Sequence, residues 1–169
     1  YRLAGEVIGA ANEVVPMILK GGGIKNTLII SPPGAGKTTM LRDIVRQLSY
    51  KSYRVSVVDE RSEIAALCEG RSAFDLGFST DILEGVDKAE GMLMVLRSMS
   101  PDVIVTDEIG KQSDIDAIER ITNSGAAVIA TIHGRNIDMI KRRDDLKRML
   151  KFFDLIITLS KRKGIGTVE

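Results

Sequence analysis

Five short runs of almost uninterrupted apolar residues recur along the chain and alternate with stretches of helical periodicity. A half-exposed strand alternates polar and apolar residues, whereas an uninterrupted apolar run fits a strand that is buried on both faces. The pattern therefore predicts an α/β fold of three layers, with a parallel sheet between two layers of helices. The predicted strands are residues 27–30, 55–58, 103–105, 127–132 and 155–159.

The predicted helices are residues 37–49, 88–98, 113–123 and 136–151, and the segment 5–20 is also helix-like. Residues 59–87 show the weakest periodicity and are too long for a simple connection. Connections of that length are usually functional or contain further structure, so we expect part of a functional site there.

Composition places few limits on function. The chain has 169 residues, 44% hydrophobic and 28% charged, which suits one globular domain. The net charge of +1 gives no bulk-charge reason to expect nucleic acid or membrane binding. A single cysteine fits a reducing cytoplasm, and no apolar run approaches the ~18 residues of a membrane span. The start without Met and the end at Glu169 lead us to expect a fragment of a longer protein.

The stretch SPPGAGKTTM, residues 31–40, follows the first apolar run directly and precedes a helical pattern. It fits the phosphate-loop pattern G-x-x-x-x-G-K-[ST], except that Ser31 replaces the first glycine. In such a loop Lys37 reaches the β- and γ-phosphates, and the hydroxyl of Thr38 binds Mg²⁺. A chance GKT turn is the alternative. The predicted nucleotide-binding residues are Pro33, Gly34, Ala35, Gly36, Lys37, Thr38 and Thr39.

Two carboxylates, Asp107 and Glu108, follow the apolar run 103–105. At the end of a strand beside a phosphate loop, Asp107 is suited to hold Mg²⁺ together with Thr38, and Glu108 is suited to polarise the attacking water. A solvated strand end is the alternative for this pair alone. Its combination with the GKT sequence favours a nucleotide site with Mg²⁺.

Polar residues also follow two further predicted strands. Because open parallel sheets bind ligands at the carboxyl ends of their strands, we include these residues in the candidate site. An exposed, acidic helix start and a purely structural histidine are the alternatives. The candidates are Asp59, Glu60 and Glu63 for the water or the metal, Arg61 for a phosphate, and Thr131 and His133 as sensors of the phosphate or the water.

These motifs, in this order, resemble those of the type II/IV secretion and pilus-motor ATPases. The pattern LR-x-x-x-PD-h-h-h-x-x-E-I corresponds here to residues 96–109, and the T-h-H box to residues 131–133. A closer resemblance is to the stage III sporulation protein AA family, through TLIISPPGAGKTTMLRDI, VVDERSEIAA, RSMSPDVIVTDEIG and KRKGIGTVE. In one departure, secretion ATPases commonly carry Gly-Glu where this chain has Asp107-Glu108.

The resemblance implies a RecA-like P-loop NTPase domain over residues 1–169, with an additional strand, a catalytic glutamate and an N-terminal domain missing here. It also implies ATP and Mg²⁺ as cofactors and Glu108, Glu60, Glu63 and His133 as catalytic residues. As partners it implies further copies in a hexameric ring and the integral membrane components of a sporulation channel, on the cytoplasmic, mother-cell side. Arg61 and Arg97 are candidate arginine fingers, in cis or across a subunit boundary.

The charges of the chain are unevenly distributed. Residues 59–90 contain nine acidic and three basic residues, and residues 141–163 contain nine basic and three acidic residues. Two solvated surfaces explain this pattern, and so does a head-to-tail interface between subunits.

Three other functions remain open at this stage. A RecA-like nucleic-acid motor fits the basic segment, but aromatic residues for base stacking make up only 4% of the chain. A nucleotide-dependent scaffold with negligible turnover needs the same loop. A small-molecule kinase has no marked acceptor site, and no motif distinguishes ATP from GTP.

Overall fold

The structure, a computed structural model, describes residues 7–169 and is built around a sheet of seven strands in the order β5-β2-β6-β7-β1-β8-β9. All neighbours pair in parallel except β8 and β9. A separate antiparallel pair joins β3 (Leu67–Cys68) and β4 (Arg71–Ser72). The sheet consists of β1 (Thr27–Ser31), β2 (Val55–Asp59), β5 (Thr80–Glu84), β6 (Val103–Thr106), β7 (Ala127–His133), β8 (Leu155–Ser160) and β9 (Thr167–Val168).

Helices cover both faces of this sheet, which confirms the predicted three layers. On β1, Ile29 packs in one core and Leu28 and Ile30 pack in the other, because successive side chains of a strand point to opposite faces. One layer contains α1 (Val14–Ile18) and α2 (Lys37–Tyr50). The other contains α3 (Lys88–Ser98), α4 (Gln112–Asn123), α5 (Ile137–Lys141), α6 (Asp144–Lys147) and a 3₁₀ turn (Arg148–Phe152).

All five predicted strands are present, and the helices predicted at 37–49, 88–98 and 113–123 match α2, α3 and α4 to within one residue. The prediction did not identify β5, which lies within residues 59–87 and pairs with β2. Asp81 on this edge strand is exposed and its neighbours are only half-buried, so the strand lacks a continuous apolar run.

The prediction of a single helix over residues 136–151 is wrong. The chain breaks at Arg143, which is extended at φ −100° and ψ 110° and separates α5 from α6. Asp144 and Asp145 follow it in the first turn of α6, where acidic side chains complement the helix dipole and favour a new start. Arg143 also pairs with Asp145 at 2.7 Å. The break allows Ile140 and Leu146 to enter the same core.

The helix-like segment 5–20 forms a helix only at α1. Residues 5 and 6 lie outside the described residues. Gly9, at φ +92°, has a backbone conformation that a helix does not use, and residues 8–13 form turns. The periodicity of this segment therefore reflects burial of Ala11, Val14 and Ile18 against α2 and the sheet rather than one continuous helix.

The order of the strands brings the motifs together. β7 lies between β1 and β6 and is the additional strand that the RecA-like resemblance implies. Ser31 pairs in register with His133, and Thr106 with Ala130, so the carboxyl ends of these three strands share one edge. Ligands of open parallel sheets bind at that edge. No helix in the described part of the chain is long and apolar enough to span a membrane.

Candidate functional site

The loop between β1 and α2 has the backbone form of a phosphate-binding turn. Gly34 and Gly36 have φ of +69° and +88°, left-handed values that side-chain-bearing residues rarely adopt. Lys37 begins α2 directly after Gly36, and the first amides of a helix have no acceptor within it. The loop therefore offers free N–H groups and the positive end of the helix dipole to an anion.

Ser31 occupies the position where the pattern expects a glycine. It is the last residue of β1, it is buried, and its hydroxyl donates to the carbonyl of Pro32 at 3.0 Å. Its own carbonyl accepts a bond from Gly134 N–H at 3.2 Å. Because the position is an extended strand residue and needs no positive φ, a small side chain is tolerated there.

A cavity of about 590 Å³ opens over this loop. Glu108 and His133 contribute to its wall from β6 and β7, which confirms that the two strand ends meet at the loop. Another cavity, of about 770 Å³, lies at the amino ends of the strands beside Arg54 and Asp102. The loop cavity is the candidate site because it combines the phosphate loop with the carboxyl ends of the strands.

Glu108 lies directly opposite the lysine of the loop. Its Oε2 is 3.5 Å from Nζ of Lys37 and 3.7 Å from a guanidinium nitrogen of Arg61. Its backbone has φ +33°, a strained value for a residue with a side chain. Both cations are held by one carboxylate at the mouth of the cavity.

Thr131 of β7 supports this strained turn. Its hydroxyl accepts the N–H of Glu108 at 2.8 Å, and its carbonyl accepts the N–H of Ile109, also at 2.8 Å. Thr131 is fully buried, so its hydroxyl contacts the Glu108 backbone at the edge of the sheet. The sensor role expected from sequence remains a prediction.

Replacing Thr131 with Val keeps the side-chain shape but removes the acceptor for the N–H of Glu108. An unsatisfied donor of this kind costs about 1–3 kcal/mol of unfolding free energy. We expect Thr131→Val to lose that amount in urea denaturation and Thr131→Ser to lose clearly less. Equal losses in both variants would contradict this role, because Ser retains the hydroxyl.

Asp107 forms a buried ion pair that the sequence did not indicate. Its Oδ1 lies 3.1 Å from Nζ of Lys88, and the two side chains are only 4% and 7% exposed. Oδ1 of Asp107 accepts no hydrogen bond, so its contact with Lys88 is an ion pair only. The ammonium of Lys88 donates a hydrogen bond to the carbonyl of Glu108, at 3.1 Å. Lys88 thus fixes both residues after β6 from the first turn of α3.

Asp59 has a structural role in the segment after β2. It is fully buried, and its carboxylate accepts the N–H groups of Glu63, Ile64 and Ala65 at 2.8–2.9 Å. Arg42 of α2 secures the same segment from the other side by donating to the carbonyls of Glu63 and Ile64. The acidic segment is therefore tied to the helix that follows the phosphate loop.

Glu60 lies between two lysines and does not line the loop cavity. Its carboxylate is 3.8 Å from Nζ of Lys88 and 3.9 Å from Nζ of Lys111. Lys111 also donates to Asp87, the N-cap of α3. The N–H of Glu90 and then this ammonium lower the pKa of the Asp87 carboxyl, and Asp87 in turn raises the pKa of Lys111.

The remaining candidates differ in where they lie. His133 is exposed at the wall of the loop cavity. Glu63 is exposed on the segment after β2 and does not line that cavity. Arg97 lies in the last turn of α3, nine residues after Lys88 and so about 13 Å along the helix axis from the Asp107 pair. Arg97 is therefore remote from the loop of its own chain.

Sequence reasoning missed Lys88 and Arg42. One signal was present for Lys88: a basic residue in the first turn of a helix opposes the helix dipole, which points to a carboxylate partner. No local signal identifies Arg42, because its acceptors are backbone carbonyls more than twenty residues away along the chain.

The residues present fit a nucleotide with Mg²⁺. Asp107 is a buried carboxylate whose Oδ1 has no hydrogen bond but lies 3.1 Å from the Lys88 ammonium, and Thr38 is half-buried on the loop. Oxygen ligands from one hydroxyl and one carboxylate, completed by phosphates and waters, are what Mg²⁺ uses at such sites.

Comparison with solved structures shows the same fold in two ATPases. The pilus retraction motor PilT with bound ADP matches with a TM-score of 0.65 at 20% identity, over 92% of this chain and 48% of that one. The ATPase DotB of Legionella pneumophila matches with a TM-score of 0.59 at 21% identity, over 79% of this chain and 40% of that one. At these identities the likeness concerns the fold.

Comparison of sequences gives a more specific result than comparison of folds, because it matches a single protein family. The family model described as sporulation stage III, protein AA, matches residues 1–169. A protein of Bacillus subtilis (strain 168) named stage III sporulation protein AA is 40% identical over 175 residues, which cover 99% of this chain and 57% of that protein. The chain thus spans little more than half of that relative's length. The match along the whole sequence shows that the chain belongs to the sporulation stage III protein AA family.

Proposed function

We propose that this chain is the ATP-binding and ATP-hydrolysing domain of a ring-forming motor. The observation that carries the proposal is the meeting of Lys37 and Glu108, 3.5 Å apart, at a loop whose two glycines have left-handed backbones. A lysine that binds phosphate and a carboxylate that activates water are the two groups that nucleotide hydrolysis requires at one place.

In this proposal the backbone N–H groups of residues 34–39 and the ammonium of Lys37 bind the phosphates, and Pro33, which has no N–H, shapes the start of the loop. Glu108 orients and deprotonates the attacking water. When the nucleotide binds, its phosphates compete with Glu108 for Lys37, which frees the carboxylate for the water. Arg61 lies 3.7 Å from Glu108 and is a further candidate for contact with the phosphates. Of the remaining candidates His133 lines the loop cavity, while Glu60 and Glu63 lie outside it and are not assigned a catalytic role in this proposal.

Thr38 and Asp107 are the residues that would hold Mg²⁺, which neutralises phosphate charge when it is bound. Lys88 fixes the Asp107 carboxylate through the buried ion pair, and Thr131 accepts the N–H of Glu108 and so supports the turn on which Glu108 stands.

The distribution of charge supports assembly into a ring. The acidic segment 59–90 contains β5, which forms one edge of the sheet, and the basic segment 141–163 contains β8 near the opposite edge. Complementary charges at opposite edges suit head-to-tail contacts, which close into rings. A hexamer with Arg97 or Arg61 reaching a neighbouring site is the form that we propose.

For the partner and location we propose the membrane components of a sporulation channel, with the ring on its cytoplasmic, mother-cell side. Membership of a family named for stage III of sporulation supports a role in sporulation. The description of PilT, which shares the fold, as a pilus retraction motor is compatible with a motor that acts beside a membrane complex.

We expect Mg²⁺-dependent ATP turnover to rise more steeply than linearly with protein concentration if neighbouring subunits complete the site. Turnover is measured by phosphate release across a concentration series, with Lys37→Ala as the control that abolishes it. Strictly linear turnover would contradict completion across subunits while leaving hydrolysis intact.

We also expect self-association to weaken with salt, because complementary exposed charges are screened over about 10 Å at 0.1 M salt. Sedimentation velocity at about 50 mM and about 500 mM salt measures this, since the Debye length falls several-fold between them. Association that is unchanged by salt would contradict an interface based on complementary charges.

A nucleotide-dependent scaffold is the second candidate. It is favoured by the pairing of Glu108 with both Lys37 and Arg61, which occupies the group needed to activate water. Tight nucleotide binding without turnover at any protein concentration would support it over the motor.

A further inference from the structure

The turn between β8 and β9, residues 161–166, lies against the phosphate loop. Gly166 N–H donates to the carbonyl of Ala35 at 3.1 Å. A Cβ built on Gly36 would stand 3.0 Å from Cγ2 of Ile165, and one built on Gly34 would stand 3.2 Å from Nζ of Lys161. At Gly36 a side chain would press on Ile165 and on the backbone of Gly166, whereas the atom nearest to Gly34 is the movable end of the Lys161 side chain.

This turn is held in place rather than loosely attached. The β8–β9 pair fixes both of its ends, with Leu159 opposite Val168 and Ser160 opposite Thr167. Ile165 is 75% exposed and yet lines the loop cavity, so the turn forms one wall of that cavity without filling it. The stem of Lys161 therefore starts from a fixed point beside the loop.

Lys161 differs from the other cations near this edge because no carboxylate in the described part of the chain pairs with it. Lys37 and Arg61 pair with Glu108, and Lys88 pairs with Asp107. Among residues 7–169 no carboxylate forms an ion pair with Lys161. An unneutralised ammonium on a flexible four-carbon stem, placed against the first glycine of a phosphate loop, is suited to contact an anion bound there.

We propose that Lys161 is a second phosphate-binding lysine, which binds the distal phosphates of the nucleotide from the 161–166 turn. The inference rests on the proposed nucleotide site and adds to it a group supplied in cis. The phosphates then contact two ammonium groups, those of Lys37 and Lys161.

The test compares binding of ADP, a non-hydrolysable ATP analogue and tripolyphosphate to the wild type and to Lys161→Ala, by calorimetry with Mg²⁺ present. A lost hydrogen bond to a charged group corresponds to about a 10- to 100-fold loss of affinity for the ATP analogue. We expect a similar loss for tripolyphosphate, which lacks the base and sugar. Lys161→Arg should lose clearly less affinity than Lys161→Ala, because it keeps the charge although the guanidinium differs in shape from the ammonium.

Lys163→Ala is the matched control, since it removes the same charge from the same turn at a residue that lines a different cavity, beside Asn12 and Glu13. We expect it to change affinity less than about threefold, because its ammonium does not lie against the phosphate loop as that of Lys161 does. Unchanged affinity in Lys161→Ala, or equal losses in both alanine variants, would overturn the role of Lys161 alone. A wild-type protein that binds neither nucleotide nor tripolyphosphate would overturn the nucleotide site as well.

Discussion

In Glu108→Gln we expect ATP turnover to fall by about 10²- to 10⁴-fold, the usual contribution of a general base. Gln keeps the shape of the side chain and its strained backbone position but cannot accept a proton from water. The same change removes the charge that pairs with Lys37 and Arg61. We therefore expect nucleotide affinity to be unchanged or higher, because Lys37 no longer has a competing carboxylate.

The measurement pairs phosphate release with the dissociation constant of a non-hydrolysable ATP analogue. Glu63→Gln is the control, since Glu63 is exposed on the segment after β2 and outside the loop cavity. We expect it to retain most of the turnover. Full activity in Glu108→Gln would show that another group activates the water. A loss of both turnover and nucleotide binding would point to a structural role for Glu108.

The largest effect on stability is expected for Lys88→Met. This change leaves Asp107 buried without its cation, and removing one partner of a buried ion pair costs about 3–5 kcal/mol. For a domain of this size the loss corresponds to a Tm lower by about 6–20 °C. Urea denaturation and thermal unfolding followed by circular dichroism measure both quantities.

Two further variants separate the buried charge from the loss of a long side chain. Lys111→Met removes a lysine that also approaches Glu60 but is 62% exposed, so we expect a clearly smaller loss of unfolding free energy than in Lys88→Met. Lys88→Met combined with Asp107→Asn should recover most of the loss, because no unpaired charge then remains buried. If Lys88→Met cost no more than Lys111→Met, the pair with Asp107 would have no structural importance.

Local sequence patterns predicted much of the fold. Uninterrupted apolar runs gave the five central strands, because a strand buried on both faces has no polar positions to interrupt it. The order of strand, GKT and helix predicted the loop at Ser31–Thr39 for a similarly local reason: its glycines, its lysine and the start of its helix are adjacent in the chain. The half-exposed edge strand β5 and the break at Arg143 were missed, since neither has a strong periodic signal.

The positions of the candidate residues were predictable where these residues follow strands and unpredictable where they come from other elements. Asp107 and Glu108 were predicted as site residues because they follow an apolar run, and that assignment stays a prediction. Asp59, predicted by the same rule, accepts three backbone N–H groups of its own segment. Lys88 and Lys161 approach the candidate site from α3 and from the β8–β9 turn, and the residues beside them in the sequence do not predict these contacts.

The sequence by itself therefore determined the class of fold, the position of the glycine-containing loop between β1 and α2, and the position of the two carboxylates after β6, because each of these has a short, continuous signal. Only the tertiary structure decided that β7 separates β1 from β6, that a buried lysine pairs with Asp107, and that the acidic and basic segments lie towards opposite edges of the sheet. These features depend on pairing and packing between residues far apart in the chain, and such contacts leave no periodic trace in the sequence around either partner.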